Sequence, residues 1–112
     1  MQYMLLIYED DADRVANMDE RMPHCAAYVE AMRKAGIYVE GDRLRGVATA
    51  TTVRVVDGRT QVVDGPYAEA KEQLGGFHII DVPDLDTALA WAARCPSASR
   101  GAVEVRPVWP VD

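Results

Sequence analysis

Apolar and polar positions alternate along the chain with two different periods, and the switches between them mark the elements. Gln2–Tyr8 is apolar at nearly every position, the pattern of a strand buried on both faces. Asp10, Asp11 and Asp13 then mark a solvated loop or a short helical turn. From Met22 the period becomes helical: Met22, Cys25, Val29 and Met32 form one stripe, with Glu30 and Lys34 opposite. Pro23 suits the first turn of that helix, where its missing N–H costs nothing, and Gly36 suits its stop. Ile37–Leu44 reads as a second strand broken by Gly41. Thr49–Val56 and Thr60–Val63 flank Asp57-Gly58, a hairpin signal because glycine supplies the positive φ of a tight turn.

A charged stretch, AEAKEQL, follows Asp64-Gly65-Pro66-Tyr67 and leads through Gly75-Gly76 into a strand over Phe77–Val82. Leu85, Ala88, Leu89 and Ala92 make a second helical stripe that ends before Pro96, with Asp84 or Asp86 as its cap. Ala102–Val108 is the last strand. The order β-α-β, hairpin, β-α-β predicts an α+β fold, a ferredoxin-like split βαβ with an inserted β-hairpin and an antiparallel sheet. No repeat or linker divides residues 1–112, which are read as one domain.

Two helices cover one face of such a sheet. A wet second face requires alternation, yet Met4, Leu6 and Tyr8 are as apolar as Tyr3, Leu5 and Ile7. The second face is therefore expected to be covered by the same face of another copy, giving a homodimer.

Composition excludes more than it names. Twelve Lys and Arg against eighteen Asp and Glu give a net charge of −6, the wrong sign for nucleic acid or anionic lipid. The opening ten residues lack a basic region, a long apolar run and a small-residue cleavage site, so neither a signal peptide nor a membrane span is expected. Two cysteines outside any C-x-x-C, Cys25 and Cys95, suit reduced thiols packed in a cytoplasmic protein. Two histidines with scattered acids form no zinc motif, and P-loop, dinucleotide and nucleophile-elbow motifs are missing, so no metal or cofactor is expected.

Residues 64–77, DGPYAEAKEQLGGF, closely resemble the signature D-G-P-F-x-E-x-K-E-x-x-G-G-F of the DGPF-domain branch of the YCII-related family. The opening YMLLIY, the segment TATTVRVVDGRTQVVDGP, and the later DVPDLDTALAWAARCP and GAVEVRPV extend the resemblance over nearly the whole chain. It implies a ferredoxin-like protomer in a dimeric α/β barrel of bacterial origin, commonly encoded near extracytoplasmic-function sigma factors. Related YCII proteins have been proposed as enzymes built around a His–Asp pair. This sequence departs from the pattern at Tyr67, where Phe is usual, and at His78, where Tyr or another aromatic usually follows Gly-Gly-Phe. The loop after the first strand is also shorter and more acidic.

The two histidines are the main chemical candidates, because imidazole titrates near neutrality. His24 opens the first helix one turn before Tyr28, and a helix N-terminus favours the neutral, basic imidazole. His78 alternates with Ile80 and Val82; with Phe77 and Ile79 packed under the helices, it points into the space between two sheets. Glu104 and Arg106 are expected on that same inner face, either as part of a ligand site or as a structural ion pair. Asp64 is either a turn residue or the partner of His24, with Tyr67 donating a proton to a bound oxygen. The candidate site is thus His24, Asp64 and His78 as catalytic groups, with Tyr28, Tyr67, Glu104 and Arg106 holding a ligand.

Three functions fit. One is a cofactor-independent protein that binds a small polar organic molecule in an inter-sheet or dimer cavity, with general acid–base chemistry. Another is a non-catalytic regulatory partner, of a sigma factor by family association. The last is a structural dimer whose histidines merely pack.

Overall fold

The computed structural model describes residues 1–111. In chain order these form β1 (Gln2–Asp10), α1 (Asp11–Ala16), α2 (Met18–Lys34), β2 (Tyr38–Arg43), β3 (Thr51–Val56), β4 (Arg59–Asp64), β5 (Glu72–Asp81), α3 (Leu85–Arg94) and β6 (Ala102–Pro107). Four strands make one sheet in the order β2-β5-β1-β6, every pair antiparallel. Each βαβ crossover leaves a gap that one strand of the other fills, so the fold is the ferredoxin-like split βαβ. The inserted β3–β4 hairpin forms a separate two-stranded sheet. Its turn is Asp57-Gly58, with φ of 51° and 74°, as the dipeptide requires.

Register decides which residues meet the helices. Tyr3, Leu5 and Ile7 of β1 face them and are buried. Leu5 stands opposite His78 on β5 and Val105 on β6, while Tyr3 stands opposite Ile80. The core therefore comprises this face with Val82, Tyr28 and Met32 of α2, and Ala88, Ala92 and Cys95 from α3 and its end. Met4, Leu6, Tyr8, Phe77 and Ile79 occupy the opposite face, half-buried, beside the exposed Glu104 and Arg106.

Here one expectation is corrected. Phe77 and Ile79 do not pack under the helices; Ile80 and Val82 do, at 0% and 3% exposure, and His78 lies with them. Alternation tells which residues share a face but not which face the helices cover. Val103 and Val105 pack against the core as expected, so Glu104 and Arg106 are separated from His78 by the sheet itself.

The first long helix also starts earlier than its apolar stripe suggests. It opens at Met18, so Pro23 lies inside it rather than in the first turn. Its buried positions are Arg21, Tyr28 and Met32, with Cys25 half-buried between them, whereas Met22 is 41% exposed. Cys25 and Met32 keep their places in the stripe, while Arg21 and Tyr28 take those of Met22 and Val29, Arg21 being matched by Glu9 and Asp13. At the other end Gly36, at φ 74°, closes the helix: its N–H donates to the Arg33 carbonyl and the Ile37 N–H to that of Met32. Asp84 caps α3, accepting from the Thr87 N–H and hydroxyl at 2.8 and 2.7 Å. Ala88 and Ala92 of α3 are buried, but Leu85 and Leu89 are exposed.

Candidate functional site

Between the helix-facing side of β1, β5 and β2, helix α2 and the turn after α3 lies a cavity of about 360 Å³. Its existence follows from small residues. On the sheet side Gly41 and Gly75 contribute no side chain, which lets the His78 ring and the Arg14 head group lie close against the strands as walls of the cavity.

One wall is an ionic cluster. Glu9, at the far end of β1's buried row, is 4% exposed. It accepts hydrogen bonds from the Arg21 guanidinium and from the Ser97 hydroxyl, the latter at 2.7 Å. Arg21 reaches on to Asp13 at 2.6 Å. The buried carboxylate is thus matched by a cation and a hydroxyl, which its burial demands.

Arg14 of α1 forms the adjoining wall and is 4% exposed. Its Nη2 lies 3.6 Å from Asp11 and donates to the Arg45 carbonyl at 3.5 Å, both long contacts. Its Nε is buried without a hydrogen-bond partner. Gly75 makes room for this head: a Cβ there would lie 2.6 Å from Nε. The first glycine of the Gly-Gly-Phe string therefore accommodates an arginine more than sixty residues upstream.

His78 closes the opposite end. Tyr28 and Tyr38 flank its ring edge-on, with centroids 5.7 and 6.1 Å away. Nδ1 is buried without a partner, lying so close to Gly41 that a Cβ there would be 2.6 Å from it. Nε2 is therefore the ring nitrogen left for the cavity. Burial lowers the imidazole's affinity for a proton, so it is held in the neutral form. The Tyr28 hydroxyl donates to the Trp91 carbonyl at 2.7 Å, and burial, reinforced by Cys95, pushes the phenol well above its ordinary pKa. Tyr28 is thus a neutral wall rather than a proton donor to a ligand. Arg33 lies 5.1 Å over the Tyr38 ring on the same side.

Cys25 and Cys95 line the cavity together. The Cys95 thiol is raised chiefly by burial, which keeps it protonated and unreactive. Among the described residues no group of three or more His, Cys, Asp or Glu side chains is arranged to hold a metal ion, and no helix is long and apolar enough to cross a membrane.

Of the residues singled out from sequence, the structure brings only His78 and Tyr28 together here. His24 is exposed on α2 and lines no part of the cavity. Asp64 is exposed at the end of β4, and Tyr67, 78% exposed, meets Arg54 at 5.8 Å on the hairpin side. Neither lines the cavity. Glu104 and Arg106 lie across the sheet, and Trp109, 89% exposed, does not cover the cavity. Sequence reasoning missed Glu9, Arg14, Arg21, Tyr38 and Ser97. Arg21 carried a readable signal: it is in helical phase with Cys25, Tyr28 and Met32, a cation on an apolar stripe.

The YCII-related domain family model matches residues 1–112. The chain belongs to the YCII-related family. A curated relative, an uncharacterized protein of Rhizobium meliloti (strain 1021), is 39% identical over 116 residues, spanning 96% of this chain and 92% of that one. Among solved structures the chain is similar to 5-chloro-2-hydroxyhydroquinone dehydrochlorinase (TftG) from Burkholderia phenoliruptrix AC1100, in complex with 2,5-dihydroxybenzoquinone. That match has a TM-score of 0.57 and 14% identity, and it covers 97% of this chain and 94% of the other. At that identity the likeness supports the shared ferredoxin-like fold of the YCII-related protein.

Proposed function

We propose that this YCII-related protein binds a small polar organic molecule in the cavity between sheet and helices, and that His78 exchanges a proton with it through Nε2. The observation that carries this reading is a half-buried histidine, held neutral, whose Nδ1 has no hydrogen-bond partner and which lines a cavity of about 360 Å³. That volume lies at the lower end of the range for ligand pockets. A neutral imidazole accepts a proton as a base and returns it as an acid. Tyr28 and Tyr38 fix its plane, and Gly41 blocks the second nitrogen, so one atom is left for chemistry. A dehydrochlorinase of the same fold bound to a small ring compound supports the same class of ligand. No step of this reading needs a cofactor.

The reading also includes a homodimer through the open sheet face, where Met4, Leu6, Tyr8, Phe77 and Ile79 stay half-buried beside Glu104 and Arg106. His24, Asp64 and Tyr67 lie outside the cavity and have no part in this reading. Free thiols at Cys25 and Cys95 are in keeping with a cytoplasmic location.

The test is a thermal-shift screen of small metabolites against wild type and His78→Gln. The expected result is at least one compound that raises the wild-type melting temperature and has little effect on the variant. A screen in which no compound stabilises the wild type overturns the reading.

A second reading, docking of a partner protein on an apolar surface, rests on the β3–β4 hairpin. Val53, Val55 and Val62 share one of its faces at 60%, 67% and 63% exposure. Replacing all three by Thr would abolish such docking in titration calorimetry and leave the cavity's ligands bound.

A further inference from the structure

Resting on the cavity reading, we infer that the ligand is a small organic anion whose acid group is held by the Arg14 guanidinium, with its body against the rings of Tyr28, Tyr38 and His78. The chain as a whole is acidic at −6, yet the cavity wall carries five arginines against three carboxylates. The field inside thus has the opposite sign to that of the molecule. Of those carboxylates, Glu9 is already matched by Arg21 and Ser97.

Arg14 is the group with donors to spare. A guanidinium has five N–H donors, and this one, at 4% exposure, has one hydrogen bond, to the Arg45 carbonyl at 3.5 Å, and one ion pair, with Asp11 at 3.6 Å. Its Nε, packed against Gly75, is without a partner. A buried cation so poorly supplied with acceptors is costly unless something else completes it. A buried guanidinium with spare donors suits an incoming oxyanion, since a planar fork matches a carboxylate or enolate with two parallel bonds.

Gly75 and His78 set the scale of the molecule. Arg14 rests on Gly75, and His78 lies three residues along the same strand, roughly 10 Å away at the rise of a β-strand. One ring bearing an acid group spans that gap.

Benzoate and its neutral isostere benzamide test this on the full-length protein. Benzoate is expected to raise the wild-type melting temperature and to perturb the His78 imidazole resonances, with benzamide doing neither. Arg14→Gln should weaken benzoate roughly ten- to a hundredfold, the worth of charge-assisted hydrogen bonds. Gly75→Ala keeps the arginine but drives a Cβ into its head, and should weaken benzoate in the same direction even where Arg14→Gln folds poorly. Benzamide binding as tightly as benzoate, or benzoate binding unchanged in both variants, overturns the anion assignment. If neither probe binds while a neutral molecule from the metabolite screen does, the anion assignment fails and the cavity reading stands. Absence of binding by any compound overturns both.

Discussion

Gly41 lies directly beneath the His78 imidazole, at a distance that admits a hydrogen atom and nothing larger. A Cβ at position 41 would stand 2.5 Å from the Phe77 carbonyl oxygen and 2.6 Å from His78 Nδ1. The first of these is backbone and cannot turn aside, so the glycine is required by close approach and not by its dihedral angles.

Gly41→Ala is therefore expected to destabilise the protein by about 1–3 kcal/mol, the cost of forcing extra atoms into a packed site. Gly58→Ala is the control: nothing lies within 4 Å of its Cβ, and only its φ of 74° is strained, a penalty of roughly 1–2 kcal/mol. In urea melts both variants should lose stability, but only Gly41→Ala should shift the His78 ring resonances.

The Glu9–Arg21 pair behaves as a unit. Removing one partner, as in Arg21→Met, leaves a buried carboxylate unmatched and should cost about 3–5 kcal/mol. The double variant Glu9→Gln/Arg21→Met should recover much of that loss. Chemical denaturation of the four members of the cycle measures it, and additive losses would show that the two side chains do not interact.

Stability should fall on mild acidification because of His78. Its proton affinity is lower folded than unfolded, so the unfolded chain takes up the proton first. The contribution is constant above the ordinary histidine value of 6.5. It is lost progressively as the pH drops below that value toward the folded one. Melting temperatures of His78→Gln should depend less on pH below 6.5 than those of wild type; parallel curves would contradict the assignment.

The open sheet face predicts association. Light scattering should give twice the chain mass for wild type, and Ile79→Arg, in the middle of that face, should give a monomer that retains ligand binding. A monomeric wild type at micromolar concentration would rule the dimer out.

Much of the architecture was legible because local chemistry agrees with the fold. Asp57-Gly58, Gly36 and Asp84 each stand where turn, stop and cap demand them, and Val103 and Val105 alternate as a half-covered strand should. The site was less legible for two reasons. Strand alternation groups His78 with Ile80 and Val82 but carries no sign, so the face turned to the helices depends on the whole packing. Glu9 and Arg21 looked like surface charges because each is buried only by virtue of partners that folding brings onto it, Ser97 being 88 positions from Glu9. The glycines at 41 and 75 gave a better clue, since each marks a spot reserved for another residue's head group.

The Glu9–Ser97 hydrogen bond also carries a consequence for how the site comes into being. It joins the first strand to the turn that follows the last helix, so the loop it closes is nearly the whole chain, and contacts of that span form late. A nascent chain already containing His78, Arg14 and Gly41 still lacks this latch. The cavity wall is completed only after synthesis has passed Ser97, which makes ligand binding a property the molecule acquires in its final stage of folding and one that reports, by its presence, that both halves have come together.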